Sequence, residues 1–325
     1  MSNLITFLFL LISLNLVSGQ SLKDIRICLD SGHGGTSATD SFRIGLNGER
    51  EEWINLRVAK YLEKMLVSEG AVVKMTRDSD VFVDLHERGR IANEFGANIF
   101  VSIHHNATAD RSVNYPVIYF HGSALENVSS VNFAHLLINE FHEHLYPNEK
   151  LYSIVSDYLI FPNRGAAVLR GTYGIPSVIG EASYFSNPSE ELRLKDTLYN
   201  YKEAVAYFEA VKKFFNTNKY AIYPEKSLSK EIPQIVVNQE AGRMSKSALS
   251  WSSHLDYVDE IIKSRNVEKF AVARDYVWDI MKFFPDNYRV HEMYSNMLYI
   301  LQELKETEAY EIVKKRYENY IYKIN

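Results

Sequence analysis

Ile25-Arg26-Ile27-Cys28-Leu29-Asp30-Ser31-Gly32-His33-Gly34-Gly35 is the stretch from which the fold is read. Its first five residues form a short apolar strand, which ends on Asp30 and runs into a glycine-rich turn. Residues 51–69 then show helical spacing, with Leu56, Ala59, Leu62 and Leu66 among the residues of one apolar face and Gly70 as the stop. The same alternation continues: strand 71–76, helix 85–95 closed by Gly96, strands 98–104 and 116–120, helix 131–145, strands 166–169 and 177–180, and a long helix over 190–215. This order predicts an α/β fold, a mostly parallel twisted sheet with helices on both faces, followed by a C-terminal all-helical appendage. In such sheets sites form beyond the carboxyl ends of strands, which makes the turn after Leu29 a candidate site wall.

The two ends of the sequence read differently. Leu4 to Val17 is an almost unbroken apolar run followed by Ser18-Gly19-Gln20. That pattern reads as a secretory signal over residues 1–20, cleaved or kept as an anchor, and implies export to the periplasm or cell envelope. It is shorter than the roughly 20 apolar residues of a membrane span. Residues 21–216 form the α/β domain. Residues 217–250 lose periodicity and read as a linker with at most one short strand, Ile235-Val236-Val237. Residues 251–325 are helical, with helices over 253–264, 267–283, 288–303 and 306–322. Two hairpins of similar length resemble a tetratricopeptide-type pair, and a plain helical appendage packed on the first domain fits equally well.

Composition narrows the function. Lys and Arg total 36 against 41 Asp and Glu, for a net charge of −5. Nucleic-acid binding, which needs clustered positive charge, is not indicated. The single cysteine, Cys28, rules out an intramolecular disulfide.

Four segments carry candidate chemistry. His33 sits between glycines on the strand-end turn, where backbone and side chain are open to close approach. Glu51 and Glu52 begin the first helix, a place where carboxylates commonly complement the helix dipole. In Ser102-Ile103-His104-His105-Asn106-Ala107, strand alternation puts His104 on the face of Ser102 and turns His105 the opposite way, to a bland role. Glu181 ends the apolar strand Ile175–Gly180, and a carboxylate there is costly unless it faces a site or a partner. Two histidines and a glutamate are a common ligand set for a catalytic zinc, and a further glutamate can act as general acid/base.

Together with Thr76-Arg77-Asp78, Leu85-His86-Glu87-Arg88, Ile91-Ala92-Asn93 and Pro176 to Pro188, these segments resemble the zinc N-acetylmuramoyl-L-alanine amidases of the amidase-3 family, over roughly residues 24–215. The resemblance implies Zn2+ held by His33, Glu51 and His104, with Glu181 catalytic. It also implies hydrolysis of the amide between N-acetylmuramic acid and L-alanine in peptidoglycan, for wall remodelling or daughter-cell separation. Its substrates would be peptidoglycan or muropeptides, and an activator or division-machinery protein is an expected partner of the C-terminal helices. Ser183 stands where the family usually has glycine. The region 107–165 is short for the inhibitory helix of some relatives, although Glu126 could approach the metal.

Three rivals stand beside this reading: another zinc peptidoglycan peptidase of carboxypeptidase type, a cysteine hydrolase using Cys28, and a non-catalytic wall-binding scaffold. Cys28 lies between Ile27 and Leu29, where a thiol behaves as a small buried hydrophobe.

Overall fold

Strand β1 (Arg26–Ser31) lies inside a six-stranded sheet and is buried on both faces from Ile27 onward. That double burial explains why its sequence is nearly continuously apolar. The computed structural model describes residues 22–322 except 39, 41, 42, 162, 163, 218–231, 234 and 236–241. The signal read over 1–20 lies outside the described residues, as do much of the linker and two of the three residues of its expected strand.

The elements follow as α1 (Glu51–Ser68), β2 (Val72–Met75), α2 (Leu85–Phe95), β3 (Ile99–Asn106), β4 (Val117–Phe120), α3 (Val128–His144) and β5 (Ser153–Ser156). Next come α4 (Ala167–Gly171), β6 (Ser177–Tyr184), α5 (Pro188–Leu194) and α6 (Thr197–Asn216). The sheet order is β2-β1-β3-β6-β4-β5. All neighbours run parallel except β4 and β6, which pair antiparallel through Val117–Glu181, Ile118–Gly180 and Tyr119–Ile179. The mostly parallel sheet with flanking helices is therefore as expected. Four local readings are corrected. The segment 166–169, expected as a strand, runs into helix α4, and β5 had not been anticipated. The strand expected over 177–180 continues to Tyr184, and the helix expected over 190–215 is two, α5 and α6, parted at Lys195-Asp196.

Period-two alternation divides the strands between two cores. Ile27, Leu29, Val101, Ile103 and Val178 face a core closed by α1, α3 and α6. Cys28, Phe100, Tyr119, Val155 and Ile179 face the other. This second core is continuous with the C-terminal helices, α7 (Lys246–Leu249), α8 (Trp251–Lys263), α9 (Phe270–Phe283), α10 (Val290–Glu303) and α11 (Thr307–Tyr320). Trp251, Phe284, Met297 and Tyr320 are buried in it beside the strand residues. Tyr158 stacks on Tyr320 at 5.6 Å, Tyr115 meets Tyr288 at 5.3 Å, and Ile321 forms an antiparallel bridge with Val155 of edge strand β5. The helical appendage thus shares one face of the sheet with α2 and α4 and protects the β5 edge.

No helix among the described residues is long and apolar enough to cross a membrane.

Candidate functional site

The carboxyl end of β1 is lashed down before any candidate residue appears. Asp30 is fully buried and accepts from Arg88 Nη1 (2.7 Å), Thr76 Oγ1 (2.6 Å) and Ser102 Oγ (2.6 Å). Burial alone would raise its carboxyl, but Arg88 and these hydroxyls outweigh that and hold it below its ordinary value. Arg77 donates to the carbonyls of Ser31, Gly32 and Glu52, and Arg88 to that of His33. These bonds hold His33 in a left-handed conformation, φ 60°, which is unusual for a residue with a side chain.

Three elements then converge. His33 follows β1, Glu51 opens α1 and His104 lies near the end of β3. His33 Nε2 is 3.1 Å and His104 Nδ1 3.0 Å from Glu51 Oε1. One donor atom from each of the three lies within 4.8 Å of the others, the group among the described residues with the geometry to hold a metal ion. Glu52 turns away and pairs with Arg50 at 2.6 Å. Glu126 does not line the pocket around this cluster.

The donor set fits a cation. Burial lowers the His33 imidazole to about 4, so the ring is neutral and offers a lone pair. That lone pair and the Glu51 carboxylate would face each other as two acceptors without a positive charge nearby. Arg43 supplies one here, with Nη1 2.9 Å from His33 Nε2 and 3.2 Å from Glu51 Oε2. Glu51 is held well below its usual range: burial opposes this, but His33, His104 and Arg43 prevail. Neutral imidazoles and an ionised carboxylate are the states in which these side chains bind metals.

Glu181 pairs with His104 across β3 and β6 and lines the same 940 Å³ pocket. Burial pushes its carboxyl up to about 7, with Glu51 adding to the effect and His104 opposing it. Its Oε2 is buried without a hydrogen-bond partner.

His105 faces away from this pocket's donor cluster, as expected, but it is not bland. Its Nδ1 lies 2.8 Å from Asn55 Oδ1 and its Nε2 3.0 Å from Glu203 Oε2. Cys28 is buried, and burial pushes its thiol up to about 12, which removes it as a nucleophile at neutral pH. Arg243, which sequence reading left inside a linker, lines the pocket and bonds to Asn106 and Tyr119. An isolated Gly-Arg in an aperiodic stretch carries no signal that would have revealed it.

The probable cell wall amidase LytH of Staphylococcus epidermidis is 29% identical over 206 residues, covering 62% of this chain and 62% of that protein. The chain thus matches less than two thirds of the length of that curated relative. The solved N-acetylmuramoyl-L-alanine amidase AmiC2 of Nostoc punctiforme is 27% identical with a TM-score of 0.51, covering 59% of this chain and 98% of that one. The CwlD amidase of Clostridioides difficile, solved in complex with the GerS lipoprotein, shares the fold at 24% identity and a TM-score of 0.52, over 59% of this chain and 98% of its own. Residues 27–213, more than half of the sequence, match the Amidase_3 family model, and the chain belongs to this N-acetylmuramoyl-L-alanine amidase family.

Proposed function

We propose that the protein is a zinc-dependent N-acetylmuramoyl-L-alanine amidase of the cell envelope, acting on peptidoglycan or its soluble muropeptides. The observation that carries this reading is the convergence of His33, Glu51 and His104 beside Glu181 in one pocket. In this reading the first three hold the zinc ion, and Glu181 is the catalytic residue. When bound, zinc polarises the scissile carbonyl and acidifies a water.

Glu181 accepts a proton as water adds to the lactyl carbonyl carbon, and returns it to the alanine nitrogen as the carbon–nitrogen bond breaks. A carboxyl raised to about 7 by burial is matched to both halves of that transfer. Asn55 supports the site from behind, its Nδ2 donating to the Gly32 carbonyl at 3.2 Å and to Glu51 Oε1 at 3.4 Å. Arg77 and Arg88 hold the carbonyls of the β1 turn that presents His33.

Residues 1–20 would direct export, residues 21–216 would form the catalytic unit, and the C-terminal helices are the natural surface for an activator or a division-machinery protein. Wall remodelling or daughter-cell separation is the role that follows. Mass spectrometry of muropeptides digested by purified protein, with and without zinc, tests the reading. Zinc-dependent release of stem peptides with an intact N-terminal alanine is the expected result. Release of single terminal amino acids instead would point to a carboxypeptidase.

A further inference from the structure

Arg243 lies outside the family-matched residues 27–213, yet it is 8% exposed and lines the catalytic pocket. Its guanidinium is tied in three directions. Nη1 donates to Asn106 Oδ1 at 2.6 Å, at the end of β3. Nη2 donates to the Tyr119 hydroxyl at 2.7 Å, on β4. Nη2 also pairs with Asp286, which is fully buried between α9 and α10 and accepts in turn from Tyr119.

Strands β3 and β4 are not neighbours. Both pair with β6, which runs between them and carries Glu181. The guanidinium therefore straddles the strand that presents Glu181. The β3–β6 register is irregular between His104 and Asn106, immediately beside the His104–Glu181 pair. An irregularity of this kind re-aims side chains, so a tie at Asn106 governs the direction taken by the end of the ladder. Arg243 also faces Glu181 electrostatically, together with His104, Glu51 and His105. A buried ion pair such as Arg243–Asp286 is a weak source of net stability, and its Nε is left buried without a partner. What the arginine supplies is fixed geometry and charge beside the site.

We propose that Arg243 is a positioning residue for amide hydrolysis: by bridging Asn106 and Tyr119 across β6 it holds Glu181 in its working direction, and through Asp286 it makes the docked C-terminal helices a condition for turnover. The inference rests on the amidase reading. It gives the helical region a role inside the reaction as well as any role in recruitment.

The test uses the full chain, as wild type, Arg243→Ala, Arg243→Lys and Asp286→Asn. Steady-state release of peptide from a soluble muropeptide is measured beside zinc content and thermal midpoint. Arg243→Ala should lower kcat about tenfold or more with KM changed by less than about twofold, the signature of an interaction that matters in the transition state. Zinc content should stay at the wild-type level, because Arg243 is not among the donor residues. Arg243→Lys, which keeps a charge for Asp286, should recover part of the lost kcat. Asp286→Asn should lower kcat about threefold or more although it touches nothing in the donor cluster.

A folded Arg243→Ala protein with wild-type kcat overturns the proposal. Should that variant fail to fold, wild-type kcat in both Arg243→Lys and Asp286→Asn overturns it equally. A zinc-loaded wild type that releases no peptide marks failure of the amidase reading, and takes the inference with it. An active wild type beside an equally active Arg243→Ala sinks the inference alone.

Discussion

His105 Nε2 lies 3.0 Å from Glu203 Oε2, and both side chains are fully excluded from solvent. Its other ring nitrogen faces Asn55 Oδ1. Asn55 Nδ2 is committed to the Gly32 carbonyl and Glu51, which fixes the amide orientation. Both ring nitrogens therefore meet acceptors, an arrangement that favours the protonated ring. Burial opposes that state, but the Glu203 carboxylate outweighs it and raises the imidazole above its ordinary value. The pair joins the strand carrying His104 to α6 and to the helix that begins with Glu51.

Removing His105 would leave Glu203 buried and unpaired. His105→Ala should cost about 3–5 kcal/mol, the usual penalty for breaking a buried pair from one side. Urea unfolding of the two proteins measures it, and a difference below about 1 kcal/mol would return His105 to a bland role.

The same pair has a pH signature. A group whose pKa is higher in the folded state contributes stability fully present below its unfolded value, and that contribution is lost as pH rises through the folded one. For His105 the contribution is complete below about 6.5, the unfolded histidine value. It should fade above that, as pH rises through the raised folded value. Stability measured against pH should decline there in the wild type, and the decline should be shallower in His105→Ala.

Ligand and catalyst should separate by measurement. His33→Ala, His104→Ala and Glu51→Gln each remove a donor from the cluster and should lower zinc content by elemental analysis. Glu181→Gln keeps size and should keep zinc, while activity falls about 10²-fold or more. If Glu181→Gln loses metal and Glu51→Gln keeps it, the two glutamates have exchanged roles.

The sheet and the segments of the candidate site were legible because both are local signals. Apolar strands alternating with amphipathic helices indicate a parallel sheet. His33 falls just past β1 and His104 near the end of β3, while Glu181 lies inside β6, which runs on to Tyr184. Whether Glu51 or Glu52 turns inward needed the family resemblance, since adjacent helix residues differ only by rotation. Residues 166–169 misled because a four-residue apolar run has no period of its own. The antiparallel β4–β6 pairing had no local marker. His105–Glu203, 98 residues apart in sequence, and Arg243–Asp286, 43 residues apart, are tertiary pairings that no local pattern encodes.

Truncation after Phe215 should be damaging, because the C-terminal helices share a core with the sheet. It would uncover Tyr115, Tyr119, Val155 and Tyr158, all now at most 5% exposed. Each large apolar side chain returned to water costs about 1.5–3 kcal/mol. The thermal midpoint should fall by at least about 10 °C, or the truncated chain should aggregate. A soluble truncated protein that melts like the full chain would show that the two parts are energetically independent.

Gly32 is the position at which a single methyl should disable the donor cluster without removing a donor. A Cβ built there lies 2.1 Å from His104 Nε2, 2.2 Å from its Cε1 and 2.6 Å from its Cδ2. The ring cannot stay in place beside it. The Gly32 backbone cannot readily retreat either, because its amide donates to the Ile103 carbonyl at 3.0 Å and its own carbonyl holds Asn55 and Arg77. The imidazole must therefore swing away from Glu51. Gly32→Ala should leave the overall fold in place, since its carbonyl and amide bonds survive. Zinc affinity should drop by about 10–100-fold, the range found when support around a metal ligand is lost. Competition with a chromogenic chelator reads the affinity directly, and circular dichroism checks the fold. Unchanged zinc binding in a folded Gly32→Ala protein would mean that His104 does not hold the metal from its present position.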